Sequence, residues 1–205
     1  MLIAVEGITG IGKSTLQSIL AKFYRAEILV QEFEKHPYLA TSDTELTKYG
    51  LEREVIFLFM AYHQLRNLDV TNKLVISDFI FEKLKVFATT SLSSVELENV
   101  YYPCFNYLNQ ILRKPDLTIH LIGSPVFAIS NIRHRNRTME AYITEDHLAK
   151  LDQAFNALFK EDLDCKVIVV DAEKYNLIHD KNAIRKIIQL VESELPELRV
   201  YRTDL

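Results

Sequence analysis

The segment Gly7-Ile8-Thr9-Gly10-Ile11-Gly12-Lys13-Ser14 satisfies the pattern G-x-x-x-x-G-K-[ST] at every fixed position, and it limits what the chain around it can become. Leu2 to Val5 is a short apolar run of strand character, and Leu16, Ile19, Leu20 and Phe23 recur at helical spacing beyond it. A strand, a glycine-bearing turn and a helix in that order form a phosphate cradle. Glycines let backbone N–H groups turn towards anionic oxygens, and the helix presents its positive end to the same charge. Gly7, Thr9, Gly10, Ile11, Gly12 and Thr15 are the candidates to surround the anion. Lys13 would reach the β- and γ-phosphates of a nucleotide, and the Ser14 hydroxyl would hold Mg²⁺.

Composition narrows the partner. A formal charge of −4 offers no basic footprint for nucleic acid, so the phosphorylated partner is expected to be small rather than polymeric. The 205 residues contain no Gly/Pro/Ser-rich linker, which predicts one domain over 1–205. The first apolar run ends at Glu6 without a basic leader, and no apolar stretch reaches membrane length; a cytoplasmic protein with no membrane partner is expected. Cys104 and Cys165 lack metal-ligand spacing and read as packing residues in a reducing compartment.

Strands are expected at Glu27–Val30, Lys73–Ser77, Leu117–Ile122 and Lys166–Val170, alternating with helices, which predicts an α/β fold with a five-stranded parallel sheet. Glu32 follows the second strand, at the edge where open α/β sheets place ligands, and suits a proton acceptor for an attacking hydroxyl. Asp78 ends the third strand at the same edge and suits Mg²⁺ or its waters. Helices are expected at Leu51–Leu68, apolar on most faces and hence buried nearly all round, at Phe79–Thr89, at Leu92–Leu112 and at Ala183–Leu195. On the first of these, Glu54, Leu58, Ala61 and Leu65 share one stripe, which places Glu54 among apolar neighbours where it needs donors. Ser124-Pro125 starts another helix, which ends in Arg133-His134-Arg135-Asn136-Arg137, guanidinium groups suited to charge on a transferring phosphoryl group.

The order of these features resembles the deoxynucleoside kinases of the P-loop fold, particularly bacterial members. Met1 to Leu16 is similar to their opening I-x-x-E-G-x-x-G-x-G-K-[ST]-T-L, and Glu32 with Pro37-Tyr38 to their E-P…N-P-[YF] segment. Pro125 with Arg135-Asn136-Arg137 resembles their S-P…R-G-R lid, and Ser77 to Lys83 resembles S-D-Y-x-F-x-K. The resemblance implies a three-layer P-loop fold with an arginine-bearing lid at about 131–144. It implies Glu32 as general base, Lys13, Arg135 and Arg137 as catalytic, and Glu140 approaching the sugar. It also implies ATP and Mg²⁺ as cofactors, a small deoxynucleoside as partner, and a homodimer.

Departures from the family pattern bear on specificity. Where many members carry an arginine after the third strand, this chain has Phe79, and Lys83 is the candidate to supply the missing charge. The base-reading glutamine and the arginine seven residues later are replaced by Glu54 and Ala61, and the first lid arginine by Asn131, with Arg133 nearby. An ionised glutamate only accepts hydrogen bonds, and guanine presents adjacent N–H donors, so Glu54 is expected to bias the site towards deoxyguanosine. The expected reaction is transfer of the γ-phosphoryl group of ATP to the 5′-hydroxyl of a deoxynucleoside. The alternatives are a nucleoside monophosphate kinase of thymidylate kinase type and a nucleotide-binding regulatory subunit without catalysis.

Overall fold

The structure is a computed structural model and describes residues 1–38, 49–137, 140, 143–175, 177 and 180–202. Strands β1 (Leu2–Glu6), β2 (Glu27–Leu29), β3 (Val75–Ser77), β4 (Leu117–Ile122) and β5 (Lys166–Asp171) form one sheet in the order β2-β3-β1-β4-β5. Every pairing is parallel, with Leu2 opposite Val75 and Ile3 opposite Leu117 on the two sides of the central strand. β1 is wholly buried because it has a neighbour on each side, which explains its uninterrupted apolar reading up to Glu6. β2 is shorter than its expected span to Val30, and β3 shorter than its expected span from Lys73.

The chain divides into two compact units: residues 1–29, 70–80 and 114–205, and residues 30–69 and 81–113. The first holds the sheet with helices α1 (Lys13–Tyr24), α5 (Pro125–Arg135), α6 (Glu145–Leu158) and α7 (Lys181–Glu194). Its core includes Leu16 and Leu20 of α1, Leu148, Leu151 and Phe155 of α6, and Ile187 and Val191 of α7. Gln17, on the buried side of α1, donates to the carbonyls of Leu29 (3.0 Å) and Ile76 (2.9 Å), tying the helix to the carboxyl ends of β2 and β3.

The second unit holds α2 (Gly50–Arg66), α3 (Lys83–Ser91), a one-turn helix at Ser94–Glu96, a π-helical stretch at Leu97–Tyr101, and α4 (Tyr102–Ile111). Three expectations change here. Burial of α2 is confined to the stripe Gly50, Glu54, Leu58 and Ala61, and Phe59 is 49% exposed, so the helix is not buried all round. The helix expected from Phe79 begins at Lys83 instead. The Ser77 hydroxyl bonds both the N–H (3.2 Å) and the carbonyl (2.8 Å) of Phe79, holding residues 77–79 in a turn that competes with helix. The helix expected from Leu92 begins at Ser94, because Ser93 and Glu96 form a capping box.

No helix among the described residues is long and apolar enough to cross a membrane. Within the lid range, residues 138, 139, 141 and 142 lie outside the described residues.

Candidate active site

In the sheet unit the phosphate loop joins β1 to α1. Gly7 and Gly10 take φ of +146° and +87°, conformations that L side chains rarely adopt. Space enforces the same choice: a Cβ on Gly10 would lie 2.4 Å from the Ala128 carbonyl oxygen, and one on Gly7 2.4 Å from that of Leu121. The loop therefore packs backbone to backbone against β4 and α5. Lys13 Nζ donates to the carbonyls of Gly7 (2.6 Å) and Ile8 (3.0 Å), which holds its charge at the loop. Gly12 is the N-cap of α1, Ile11 is buried, and Thr9 and Thr15 are partly buried.

Two residues to which the sequence assigned no role of their own support this loop. The buried carboxylate of Glu6 accepts from the N–H of Gly7 (2.9 Å) and of Ile80 (3.3 Å), so one side chain fixes the exits of both β1 and β3. Asn131 Nδ2 donates to the Gly10 carbonyl (2.9 Å), fastening α5 to the loop at the place where the family resemblance puts an arginine. A carboxylate before the cradle glycine, inside an apolar strand, was the available signal for Glu6; an exposed-looking asparagine gave none for Asn131.

Ser14 lies exposed in the first turn of α1, and Asp78 is partly buried just past β3, with its N–H donating to Leu29 (3.1 Å). The Ser14 hydroxyl and the Asp78 carboxylate are hard oxygen donors of the kind that hold Mg²⁺ together with substrate phosphates and water, so the residue types present fit that ion. Phe79 is buried, so the position lacking the family arginine is a core position here.

α5 starts with Ser124 as N-cap, its Oγ accepting from the Phe127 N–H (3.1 Å), and ends at Asn136 in the left-handed region. Arg135 grips Glu140 with two hydrogen bonds, Nε to Oε2 at 2.7 Å and a terminal nitrogen to Oε1 at 2.6 Å, and Arg137 stands 4.0 Å from the same carboxylate. The structure thus brings the two lid arginines and Glu140 together. Arg133 donates to the Ile143 carbonyl (2.8 Å). A bidentate guanidinium fork can exchange carboxylate for phosphate without changing its geometry.

The helical unit carries Glu32, Glu54 and Lys83. Glu32 (φ −79°, ψ 57°) occupies the centre of an inverse γ-turn closed by a Phe33 N–H to Gln31 carbonyl bond of 2.9 Å. Its N–H donates to Gln64 Oε1 (3.2 Å), and Gln64 Nε2 donates to the Val30 carbonyl (3.0 Å). The Glu32 carboxylate meets Lys35 Nζ at 2.7 Å; both side chains are well exposed, at 47% and 70%, so the pair is worth about 0–1 kcal/mol. Further along the same segment His36 stacks on Phe57 at 3.9 Å, bonds the Arg53 carbonyl through Nε2 (3.0 Å), and accepts from the Tyr38 N–H through Nδ1 (3.1 Å). Those partners require the neutral imidazole, and burial lowers its pKa in the same direction.

Glu54 is only 4% exposed and finds the donors a buried carboxylate needs: Arg53 through Nε (3.2 Å) and a terminal nitrogen (3.1 Å), with the Ser91 side chain. Burial pushes its carboxyl up, and the Arg53 guanidinium works against that shift. Its charge also adds to the burial that raises the Tyr101 phenol, whose hydroxyl donates to the Leu84 carbonyl (3.1 Å). Lys83 is buried at the start of α3.

A family model described as deoxynucleoside kinase matches residues 3–196. A deoxyguanosine kinase of Bacillus subtilis (strain 168) is 26% identical over 193 residues, covering 90% of this chain and 93% of that protein. A deoxyadenosine kinase of Dictyostelium discoideum is 25% identical, covering 96% of this chain and 80% of that protein. A solved structure of deoxyadenosine kinase from M. mycoides with bound dCTP superposes with a TM-score of 0.76 at 26% identity, covering 94% of this chain and all of that one.

Proposed function

Since the chain belongs to the deoxynucleoside kinase family, we propose that it transfers the γ-phosphoryl group of ATP to the 5′-hydroxyl of a deoxynucleoside, with Glu32 as general base and a preference for deoxyguanosine. As a family member it is an ATP-dependent phosphotransferase that acts on nucleosides. The observation that carries the reaction is the complete phosphate loop with Lys13 held at its mouth, inside a match covering nearly the whole chain.

In this reading the loop amides and Lys13 bind the donor phosphates, and Glu32 takes the proton of the 5′-hydroxyl as it attacks. Arg135 and Arg137 leave Glu140 and cover the transferring group, excluding the water that would otherwise hydrolyse ATP. Ser14 and Asp78 would hold Mg²⁺, which when bound would supply positive charge against the phosphate oxygens. Lys83 is the cation offered in place of the arginine absent at Phe79. Glu54 selects the base: a buried, ionised carboxylate rewards the paired N–H donors of guanine and leaves adenine without a partner for its ring acceptor.

A second copy of this chain is proposed as the partner of the helical unit. Support comes from large apolar side chains left in water on its helices: Phe59 at 49%, Tyr107 at 64% and Ile111 at 54% exposure. A monomer in sedimentation at micromolar concentration would remove this part of the reading.

The reaction is tested by ATP-dependent phosphorylation of the four deoxynucleosides and their monophosphates, with wild type beside Glu32→Gln. Turnover of a nucleoside, collapsing in the variant, is expected. Turnover of monophosphates alone would transfer the chain to the other kinase class, and unchanged turnover by Glu32→Gln would remove the base.

A further inference from the structure

We propose that Gln64 is a positioning residue for phosphoryl transfer, clamping the main chain of residues 30–32 so that the Glu32 carboxylate is aimed; this rests on the reading of Glu32 as general base.

β2 ends at Leu29 as an edge strand, so beyond it the Val30 carbonyl and the Glu32 N–H have left the ladder. One side chain serves both groups. Gln64 accepts from the Glu32 N–H at 3.2 Å and donates to the Val30 carbonyl at 3.0 Å, taking the place a neighbouring strand would fill. An amide side chain supplies an acceptor and a donor side by side, which an ionised carboxylate, a lysine or an arginine does not, and the opposite amide orientation would set donor against donor and acceptor against acceptor. The partners therefore define the orientation as well as the residue type.

This clamp matters because little else directs the carboxylate. Its own tether is the exposed Lys35 ammonium, which water and salt screen. The direction of the side chain is set by the backbone, and the backbone is set by the γ-turn at Glu32 and by Gln64. The segment is also docked at its far end, where His36 stacks on Phe57 and bonds the Arg53 carbonyl. Removing Gln64 thus leaves the segment anchored on α2 and frees only the stretch that carries the base.

The test compares wild type, Gln64→Ala, Glu32→Gln and the double variant by single-turnover phosphoryl transfer, by KM for ATP and by thermal midpoint, with rates read well below each midpoint. Misplacing a base by a fraction of an ångström is expected to lower kcat on the order of ten- to a hundredfold, with KM for ATP unchanged. In the Glu32→Gln background the same substitution is expected to cost less than about twofold, because nothing remains to be aimed. Gln64→Glu, which retains the acceptor and loses the donor, should fall between. Gln64→Met keeps the side-chain length and should match alanine if the loss is polar rather than one of packing.

Wild-type kcat in Gln64→Ala would overturn the inference while leaving Glu32 in its role. An equal loss in both backgrounds would overturn it too, reducing Gln64 to a structural contact. Full activity of Glu32→Gln alone would remove the base and the positioning role together.

Discussion

In the sheet unit the phosphate loop is shaped chiefly by main chain: Gly7 and Gly10 press against the carbonyls of Leu121 and Ala128, Lys13 bonds loop carbonyls, and the Glu6 and Asn131 side chains in turn bond the loop's backbone groups. In the helical unit the segment with Glu32 is held by side chains of another element, through Gln64 at one end and through Phe57, with the Arg53 carbonyl, at the other. The first arrangement binds an anion that is the same in every nucleotide, and backbone N–H groups suit that task whatever the flanking residues. The second must direct one carboxylate, and a substitution on α2 can redirect it. Lys13 apart, phosphate binding by the loop amides should therefore resist side-chain change more than the aim of the base does.

The largest expected effect tests the sheet unit. Lys13→Ala removes one preorganised charge and should lower kcat by about 10²–10³-fold, with the thermal midpoint little changed, in steady-state assays beside calorimetry. Gly10→Ala challenges the main chain itself, since its Cβ would meet the Ala128 carbonyl oxygen at 2.4 Å and Ile132 at 2.8 Å. Loss of both stability and ATP binding is expected there. A Gly10→Ala protein that binds ATP normally would break the contrast between the units.

Titration separates the two units next, with opposite signs. His120, buried on β4 and stacked on Phe159 at 3.9 Å, has its pKa lowered by burial to about 4. The unfolded imidazole takes up protons near 6.5, so stability is lost as pH falls from that value towards about 4, by about 3 kcal/mol in all. His120→Leu should abolish that part of the slope in denaturant titrations. Glu54 in the helical unit is raised by burial, so its contribution is full below the ordinary carboxyl range and is lost as pH rises through its higher native value. Glu54→Gln should remove this opposite slope. The same variant should shift the ratio of deoxyguanosine to deoxyadenosine turnover by about tenfold, the scale of one hydrogen bond to a charged group. An unchanged ratio would leave Glu54 as a buried ion-pair partner of Arg53 with no part in choosing the base.

What the sequence disclosed follows the same division. The cradle was readable because its residues are required locally: glycine at positive φ, lysine and serine at fixed spacing, between a strand and a helix. The inner strands β1, β3 and β4 are readable because burial on both faces makes them almost continuously apolar, whereas the edge strands β2 and β5 keep exposed positions at Ile28 and Val169. The stripe through Glu54, Leu58 and Ala61 was also legible, because a helical period specifies a face. Apolar composition overstates the burial of the rest of α2, since it does not say which face meets a neighbour; Phe59 remains exposed. The roles of Gln64 and Asn131 are not legible in the sequence, although the family resemblance marks position 131, because each acts on a carbonyl or N–H distant in sequence, 32 residues away for Glu32 and 121 for Gly10, and no local pattern encodes that.

The smallest expected effect marks the limit of the side-chain account of Glu32. Lys35 meets the carboxylate at 2.7 Å, yet both groups lie in water, where an i,i+3 pair is worth a few tenths of a kcal/mol. Lys35→Ala should change kcat by less than about threefold and should narrow its difference from wild type as salt is raised, because the tether it removes is already screened. A loss as large as that in Gln64→Ala would mean that the ion pair aims the base and the amide clamp does not. Near-equality with wild type, beside a large loss in Gln64→Ala, would assign the direction of the carboxylate to the main chain it grows from.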